Sequence, residues 1–150
     1  RACRVGRVKR AEAAIGASAT ASKHDKKDCK AYDYRGFHLS GQGKHEEAIK
    51  DFRASISLSP QNAKAYYNRG FSYGALKQYT KAIEDFTVVL RADPNSLNAY
   101  FNRGLAYKQK KMYPQAKQAL NRVLELAQEG NPQRSKARRL ISEINNDFRF

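Results

Sequence analysis

The sequence predicts an all-helical protein built from three copies of a helix–turn–helix unit. Residues 66–73 (YYNRGFSY) return thirty-four positions later as residues 100–107 (YFNRGLAY), and residues 32–39 (YDYRGFHL) are a weaker earlier copy. Between the copies, apolar side chains recur at three-and-four spacing, which is typical of a helix with one buried face. A fixed period of this length indicates a stacked repeat array, in which each unit buries its apolar face against its neighbours.

The composition is that of one folded domain with a strongly basic surface. The chain has 150 residues, of which 41% are hydrophobic, and a net charge of +15 from 29 Lys and Arg against 14 Asp and Glu. No apolar run is long enough to span a bilayer. Cys3 and Cys29 are far apart and outside the core pattern, so they imply neither a disulfide framework nor a metal cluster, and reduced surroundings fit best. The charge predicts an acidic partner of some kind.

The amino-terminal residues 1–28 are predicted to form a flexible basic arm. Residues 1–30 have a net charge of +6 and few large apolar side chains, so they cannot offset the entropy cost of ordering. Residues 1–22 contain one acid, Glu12, among five arginines and lysines, a composition that organelle transit peptides share. We favour a solvated tail or linker and a cytoplasmic location, with organelle import as the alternative.

From Cys29 onward the sequence divides into three registers, 29–62, 63–96 and 97–130. The columns that recur are Tyr32, Tyr66 and Tyr100; Arg35, Arg69 and Arg103; Gly36, Gly70 and Gly104; Ala48, Ala82 and Ala116; and Phe52, Phe86 and Leu120. Pro60 and Pro94 separate successive copies, because the residue before proline is disfavoured in a helix. In the third copy the break is delayed to Gly130-Asn131-Pro132.

Each column has a packing reason. Glycine inside a helix costs about 1 kcal/mol relative to alanine, so Gly36, Gly70 and Gly104 are expected where two helices approach closely, opposite the alanine column that contains Ala48. The arginine column predicts partly buried ion pairs with Asp51 and Asp85 in the second helices. The third copy has alanine at the acid column, so one arginine lacks this partner and is the better placed to meet a ligand.

Residues 131–150 are predicted to close the array with a capping helix over 134–147 and a short tail. Ala137, Leu140, Ile141 and Ile144 follow the i, i+3, i+4, i+7 pattern, while charged residues occupy the other side. A helix of this kind gives a stack the polar outer surface that its open end requires.

No catalytic, metal or cofactor site is predicted. The segment 41–44 (GQGK) is similar to part of a phosphate-binding loop, but histidines stand at 38 and 45, where the full pattern needs glycine and Ser or Thr. We expect a turn between two helices there. The three histidines show no metal-ligand spacing, and neither a Ser nor a Cys lies in a nucleophile-elbow context.

The three aligned registers resemble the tetratricopeptide repeat family, whose pattern is a large aromatic, a small residue, a tyrosine, then alanine, an aromatic and a closing proline. This resemblance implies a right-handed superhelical array whose first helices line a concave groove that holds an extended or helical peptide. In the first copy the implied groove positions include Lys30, Asp33, Tyr34 and Phe37. In the later copies they include Lys64, Tyr67, Asn68, Phe71, Asn98, Phe101, Asn102, Leu105 and Lys108.

Two features of these positions favour peptide binding. The tyrosine column already fills the core, so the aromatic side chains at the groove positions are free to act as binding anchors. The alternative for Phe37 and Phe71 is that they pack between helices as part of the core. Asn68 and Asn102 share a column, and an amide offers a donor and an acceptor to a peptide backbone. The alternative for these amides is solvation or local bonding.

The family's chaperone-binding clamp is matched only in part. A resemblance to that clamp would need a Lys and an Asn from the first copy, an Asn from the second, and a Lys and an Arg from the third. This chain matches at Asn68, but Asp33, Phe37, Asn98 and Asn102 occupy the other positions. We therefore expect a hydrophobic or mixed peptide.

The resulting prediction is a non-catalytic adaptor or scaffold that binds a protein partner through a peptide segment. The alternatives are a basic RNA- or ribosome-associated factor, whose arm neutralises phosphates, and a structural subunit docked in a large assembly.

Overall fold

The computed structural model describes residues 28–147, which form seven helices and no strand. The chain divides between Leu76 and Lys77 into two compact units. In the first unit, α1 spans Cys29–Gly41, α2 His45–Leu58 and α3 Ala63–Ala75. In the second unit, α4 spans Tyr79–Ala92, α5 Leu97–Gln109, α6 Tyr113–Leu126 and α7 Pro132–Asp147. The predicted all-helical repeat fold is confirmed.

The first helix of each copy begins at a side-chain cap. Asp28, Asn62 and Ser96 accept a backbone hydrogen bond from Lys30, Ala65 and Ala99 at 3.0, 3.4 and 3.3 Å. Such caps satisfy N–H groups that have no partner within the helix. The second helices α2, α4 and α6 have no side-chain cap and begin directly after a tight turn. The predicted turn at 41–44 is one of these, since α1 ends at Gly41 and α2 begins at His45.

The core of the first unit lies between α1 and α2. Leu39, Ala48 and Phe52 form its buried cluster, and Phe52 is completely buried. A methyl group added to Gly36 would lie 2.8 Å from Cε1 of the Phe52 ring. The glycine therefore permits a close helix approach, as predicted, and the nearest atoms opposite it belong to Phe52, which shares a buried cluster with Ala48.

The core of the second unit joins α6 and α7. The buried residues of this cluster are Ala116, Leu120, Val123, Ala127, Ala137, Leu140 and Ile144. At Gly104, an added methyl group would lie 2.9 Å from Cγ of Leu120, the counterpart of Phe52. The capping helix α7 buries its predicted apolar face here and begins at Pro132, two residues before the predicted start. Its opposite face exposes Lys136, Arg138 and Arg139.

Three other predictions concern the ends of the chain and the cysteines. The basic arm, apart from Asp28, and the tail residues 148–150 lie outside the described residues. Cys29 is buried and disulfide-bonded, which corrects the expectation that the cysteines stay reduced; Cys3 lies outside the described part. Over residues 28–147, no helix has the length and apolar character needed to cross a membrane.

Candidate functional site

Two exposed aromatic side chains mark the candidate site in the first unit. Phe37 on α1 and Phe71 on α3 occupy the same column of successive copies and are 59% and 51% exposed. The two helices are in direct contact, since the Ser72 hydroxyl donates to the Ser40 hydroxyl at 3.1 Å. The alternative that these rings fill the core is therefore wrong. Because they occupy one column of two helices in contact, we treat the two rings as one candidate surface, which we call the Phe37–Phe71 face.

The other predicted site residues of α3 flank Phe71. Lys64 is exposed, and Tyr67 and Asn68 are half-buried. Tyr67 and Asn68 lie three and four residues after Lys64 and four and three residues before Phe71, which places all of them on adjoining parts of one helix surface. The helix α3 thus presents a ring, an amide and an ammonium group side by side. Their role in binding stays a prediction.

Asp33 of α1 is held in a polar network rather than left open to a ligand. The Asn62 side-chain amide donates to Asp33 at 2.5 Å and to the Ser55 hydroxyl at 3.2 Å. Burial raises the pKa of Asp33 above its ordinary value, while hydrogen bonds from Ser55 and Asn62 and the charge of Lys64 lower it. Since Asn62 also caps α3, one side chain ties α1, α2 and α3 together.

Neighbouring ring contacts belong to the same end of α1. The rings of Tyr34 and His38 meet edge to face at 4.5 Å between centroids, and His38 meets Phe37 at 6.0 Å. The Phe37 ring is therefore supported from one side while its other side faces solvent. A ring that is already positioned loses less freedom when it binds.

In the second unit, α7 contacts several of the predicted site residues. The Gln133 amide donates to the side-chain oxygen of Asn98, and Lys108 forms an ion pair of 2.7 Å with Glu143. Phe101 and Leu105 pack against the α6–α7 core cluster, and Asn102 is half-buried. The third copy thus uses much of the face assigned to a ligand for contacts with the capping helix.

The arginine column confirms the predicted ion pair in the first copy. Arg35 donates to Asp51 through Nε at 2.6 Å and through Nη2 at 2.5 Å. This bidentate contact involves an aspartate that is 4% exposed as a whole residue. This contact raises the pKa of Arg35. The pairing of Arg69 with Asp85 stays a prediction.

In the third copy the arginine has other partners, because that copy has alanine where the first copy has Asp51. Arg103 donates to the Thr87 hydroxyl at 3.3 Å, and its buried Nε has no hydrogen-bond partner. Its guanidinium lies 5.6 Å from the centre of the Tyr100 ring.

Sequence reasoning missed one recurrent contact of this column. Arg35 lies over the ring of Tyr32 at 5.8 Å, and Arg69 over that of Tyr66 at 5.4 Å, as Arg103 does over Tyr100. The signal was present as a Tyr-x-x-Arg spacing that recurs in all three copies, because residues three apart are neighbours on a helix. The guanidinium column is therefore largely structural.

Two family models match the sequence. One, described as TPR repeat, matches residues 41–77, and the other, described as tetratricopeptide repeat, matches residues 63–96 and 97–129. Together they cover residues 41–129, more than half of the chain. No curated protein matches the chain significantly.

Several solved structures share the fold. MamA 41-end from Desulfovibrio magneticus RS-1 has a TM-score of 0.83 at 24% identity, over 91% of this chain and 75% of that one. The first TPR of Spaghetti (RPAP3) bound to the HSP90 peptide SRMEEVD has a TM-score of 0.75 at 25% identity, over 84% of this chain and 97% of that one.

The first TPR domain of human RPAP3 has a TM-score of 0.72 at 27% identity, over 79% of this chain and 93% of that one. The 24% identity to MamA 41-end from Desulfovibrio magneticus RS-1 makes that similarity evidence for the fold alone. The same repeat is indicated by the family models, by the recurring sequence columns and by the helix–turn–helix copies. The chain belongs to the tetratricopeptide repeat family, a family of protein–protein interaction modules.

Proposed function

We propose that the protein is an adaptor that binds a peptide segment of a partner on the surface formed by its first helices. The observation that carries this proposal is the exposure of Phe37 and Phe71, 59% and 51%, at one column of adjacent helices. Neither ring is needed for the core, which Phe52 and the residues around it fill. Exposed aromatic side chains of this kind commonly dominate the energy of an interface.

The comparison with RPAP3 supports a peptide ligand. That domain, 25% identical to this chain, has been solved with an HSP90 peptide, SRMEEVD, bound. In this chain an acid, Asp33, stands at one position of the chaperone-binding clamp, and Phe37 at another. A carboxylate repels the acidic end of such a peptide, and a ring offers it no hydrogen bond. We therefore propose an apolar or mixed peptide as the ligand of this protein.

The test is to select peptides from a displayed random library with the full chain and to compare variants on the selected sequences. Phe37→Ser with Phe71→Ser is expected to weaken binding by more than about 2 kcal/mol, because both anchors are lost. Leu58→Ser is the matched control, since Leu58 is also exposed in the first unit, at 41%, but lies on α2. Equal affinity for the double variant and the parent protein would refute the role of the two rings.

The amide column has its own test. Replacing Asn68 of the first unit by alanine should weaken binding of the same peptides by roughly 0.5–1.5 kcal/mol, the value of one lost hydrogen-bonding group. The library peptides should bind with only mild salt dependence, whereas the RNA alternative requires affinity that falls steeply with salt. An unchanged affinity in the Asn68→Ala variant would exclude this amide from the site.

A further inference from the structure

The turn inside each copy has a left-handed residue at the same column. Gly43 has φ +79°, whereas Lys77 and Lys111 both have φ 59°. This region of backbone conformation suits glycine and is unfavourable for a residue with a long side chain. Two of the three copies therefore place lysine where the first copy has the residue that the backbone prefers.

The third copy shows the turn in full. The Met112 N–H donates to the Tyr107 carbonyl at 2.9 Å, and the Lys111 N–H donates to the Lys108 carbonyl at 2.9 Å. This pair of hydrogen bonds is the Schellman closure of a helix carboxyl end, in which the left-handed residue is usually glycine. Lysine at this position is unfavourable relative to glycine, and backbone positions of this kind often mark functional sites.

The same region of the second unit gathers further positive charge. Lys110 Nζ donates to the Thr80 hydroxyl at 2.6 Å, so the α5–α6 turn lies against the first turn of α4. Lys77 lies two residues before the first residue of α4. Lys77, Lys110 and Lys111 are all exposed. We call these three residues the lysine edge.

Acidic groups on the surrounding helices do not neutralise this edge. Glu143 of α7 is paired with Lys108, and Asp147 lies at the last position of α7. Glu84 of α4 is exposed one turn beyond Thr80 and is the acid nearest the edge along that helix. The edge therefore carries three ammonium groups, and none of the ion pairs found in residues 28–147 involves them.

We infer that the lysine edge binds an acidic segment of a partner protein, a run of consecutive Asp or Glu residues. Lysine presents a point charge on a flexible stem, which suits carboxylates spaced along an extended peptide. Tyr79 and Tyr113, the rings nearest to the edge in sequence, are half-buried, so the edge offers no fully exposed ring on which bases of single-stranded nucleic acid could stack. This surface shares no residue with the Phe37–Phe71 face and does not depend on the proposed function.

The test measures binding of a labelled decaglutamate peptide to the full chain at about 0.1 M salt. Lys77→Gly with Lys111→Gly should weaken binding about fivefold, since two exposed charge contacts are lost. The same change should raise Tm by roughly 2–4 °C, because each glycine relieves an unfavourable backbone conformation. The glycine variant should thus be more stable and yet bind the peptide more weakly. A purely structural role of these lysines cannot produce this combination.

Two control variants isolate the edge. Lys50→Ala with Lys136→Ala removes the same total charge from exposed positions on α2 and α7 and should change affinity less than twofold. Lys77→Arg with Lys111→Arg keeps the charge and should keep the affinity. Equal losses in the glycine and alanine variants, or an absence of decaglutamate binding by the parent protein, would overturn the proposal. Tighter, lysine-dependent binding of an RNA with ten phosphates would also overturn it, in favour of nucleic acid.

Discussion

The first and third copies place an arginine at the same column and stabilise it by different means. Arg35 forms a two-pronged ion pair with Asp51, whose side chain is 5% exposed against 25% for the arginine. Arg103 has a hydroxyl, Thr87, and a tyrosine ring as its partners, and its Nε is left without a hydrogen bond. The repeat backbone therefore positions the guanidinium, while the residue in the second helix determines how much that position contributes to stability.

The largest expected effect on stability comes from removing each of these two arginines, which tests this difference directly. Arg35→Ala should lower the free energy of unfolding by about 2–4 kcal/mol, because Asp51 is left as a buried, unpaired carboxylate. Arg103→Ala removes the same side chain but should cost only about 1 kcal/mol, the value of one hydroxyl hydrogen bond and a cation–π contact. Urea denaturation of both variants measures the difference. Equal losses would mean that packing of the arginine stem, not the ion pair, stabilises the column.

Substitutions in the glycine column should change the stability of the copies by smaller amounts. Gly36→Ala would place a methyl group 2.8 Å from the rigid, fully buried ring of Phe52, and Gly104→Ala would place one 2.9 Å from Cγ of Leu120. Overpacking costs about 1–3 kcal/mol and the helix gains about 1 kcal/mol from alanine. We expect a net loss of about 1–2 kcal/mol at Gly36 and less at Gly104, whose aliphatic neighbour can change rotamer.

Gly74→Ala is the matched control for both. An added methyl group at Gly74 meets nothing within 4 Å, so only the helix-propensity gain of up to about 1 kcal/mol remains. Thermal unfolding of the three variants should therefore give shifts of opposite sign. A stabilised Gly36→Ala variant would show that α1 and α2 separate easily to admit the methyl group.

The sequence predicted those parts of the molecule that depend on repetition. The helices, the turn at 41–44, the capping helix and the Arg35–Asp51 pair all followed from aligned columns and apolar spacing. The contacts of α7 with Asn98 and Lys108 did not, because they occur once, at the end of the array, where no second copy reveals a pattern. The exposure of Phe37 and Phe71 was also undetermined, since an aromatic residue at helical spacing fits a core as well as an interface.

The identity of the residue opposite each glycine required the structure for a different reason. Ala48 and Phe52 lie one turn apart on the same face of α2, so the periodic pattern places both near Gly36. Which of them fills the contact depends on the relative positions of the two helices. The sequence constrains those positions only through side-chain size.

The smallest expected effect contrasts two carboxyl groups, one in each unit. Burial raises the pKa of Asp33, whereas a hydrogen bond from Lys108 and its charge lower the pKa of Glu143. Because a raised pKa means that folding favours the protonated acid, Asp33 opposes folding at neutral pH. This penalty diminishes as pH falls through the folded-state pKa and vanishes below the unfolded-state value. Glu143 acts in the reverse sense: its stabilisation is complete above its unfolded-state pKa and is lost as pH falls through the lower folded-state value.

NMR titration of the side-chain carboxyl carbons would measure both groups in one sample, with Lys108→Met as the variant. Asp33 should titrate above the ordinary range of aspartate, and Glu143 below that of glutamate. In the Lys108→Met protein the pKa of Glu143 should return toward its ordinary value, and that of Asp33 should not move, because Lys108 is not among its charged neighbours. A Glu143 pKa that is unchanged by the variant would show that the Lys108 contact is not maintained in solution, so that α7 is held against α5 without this ion pair.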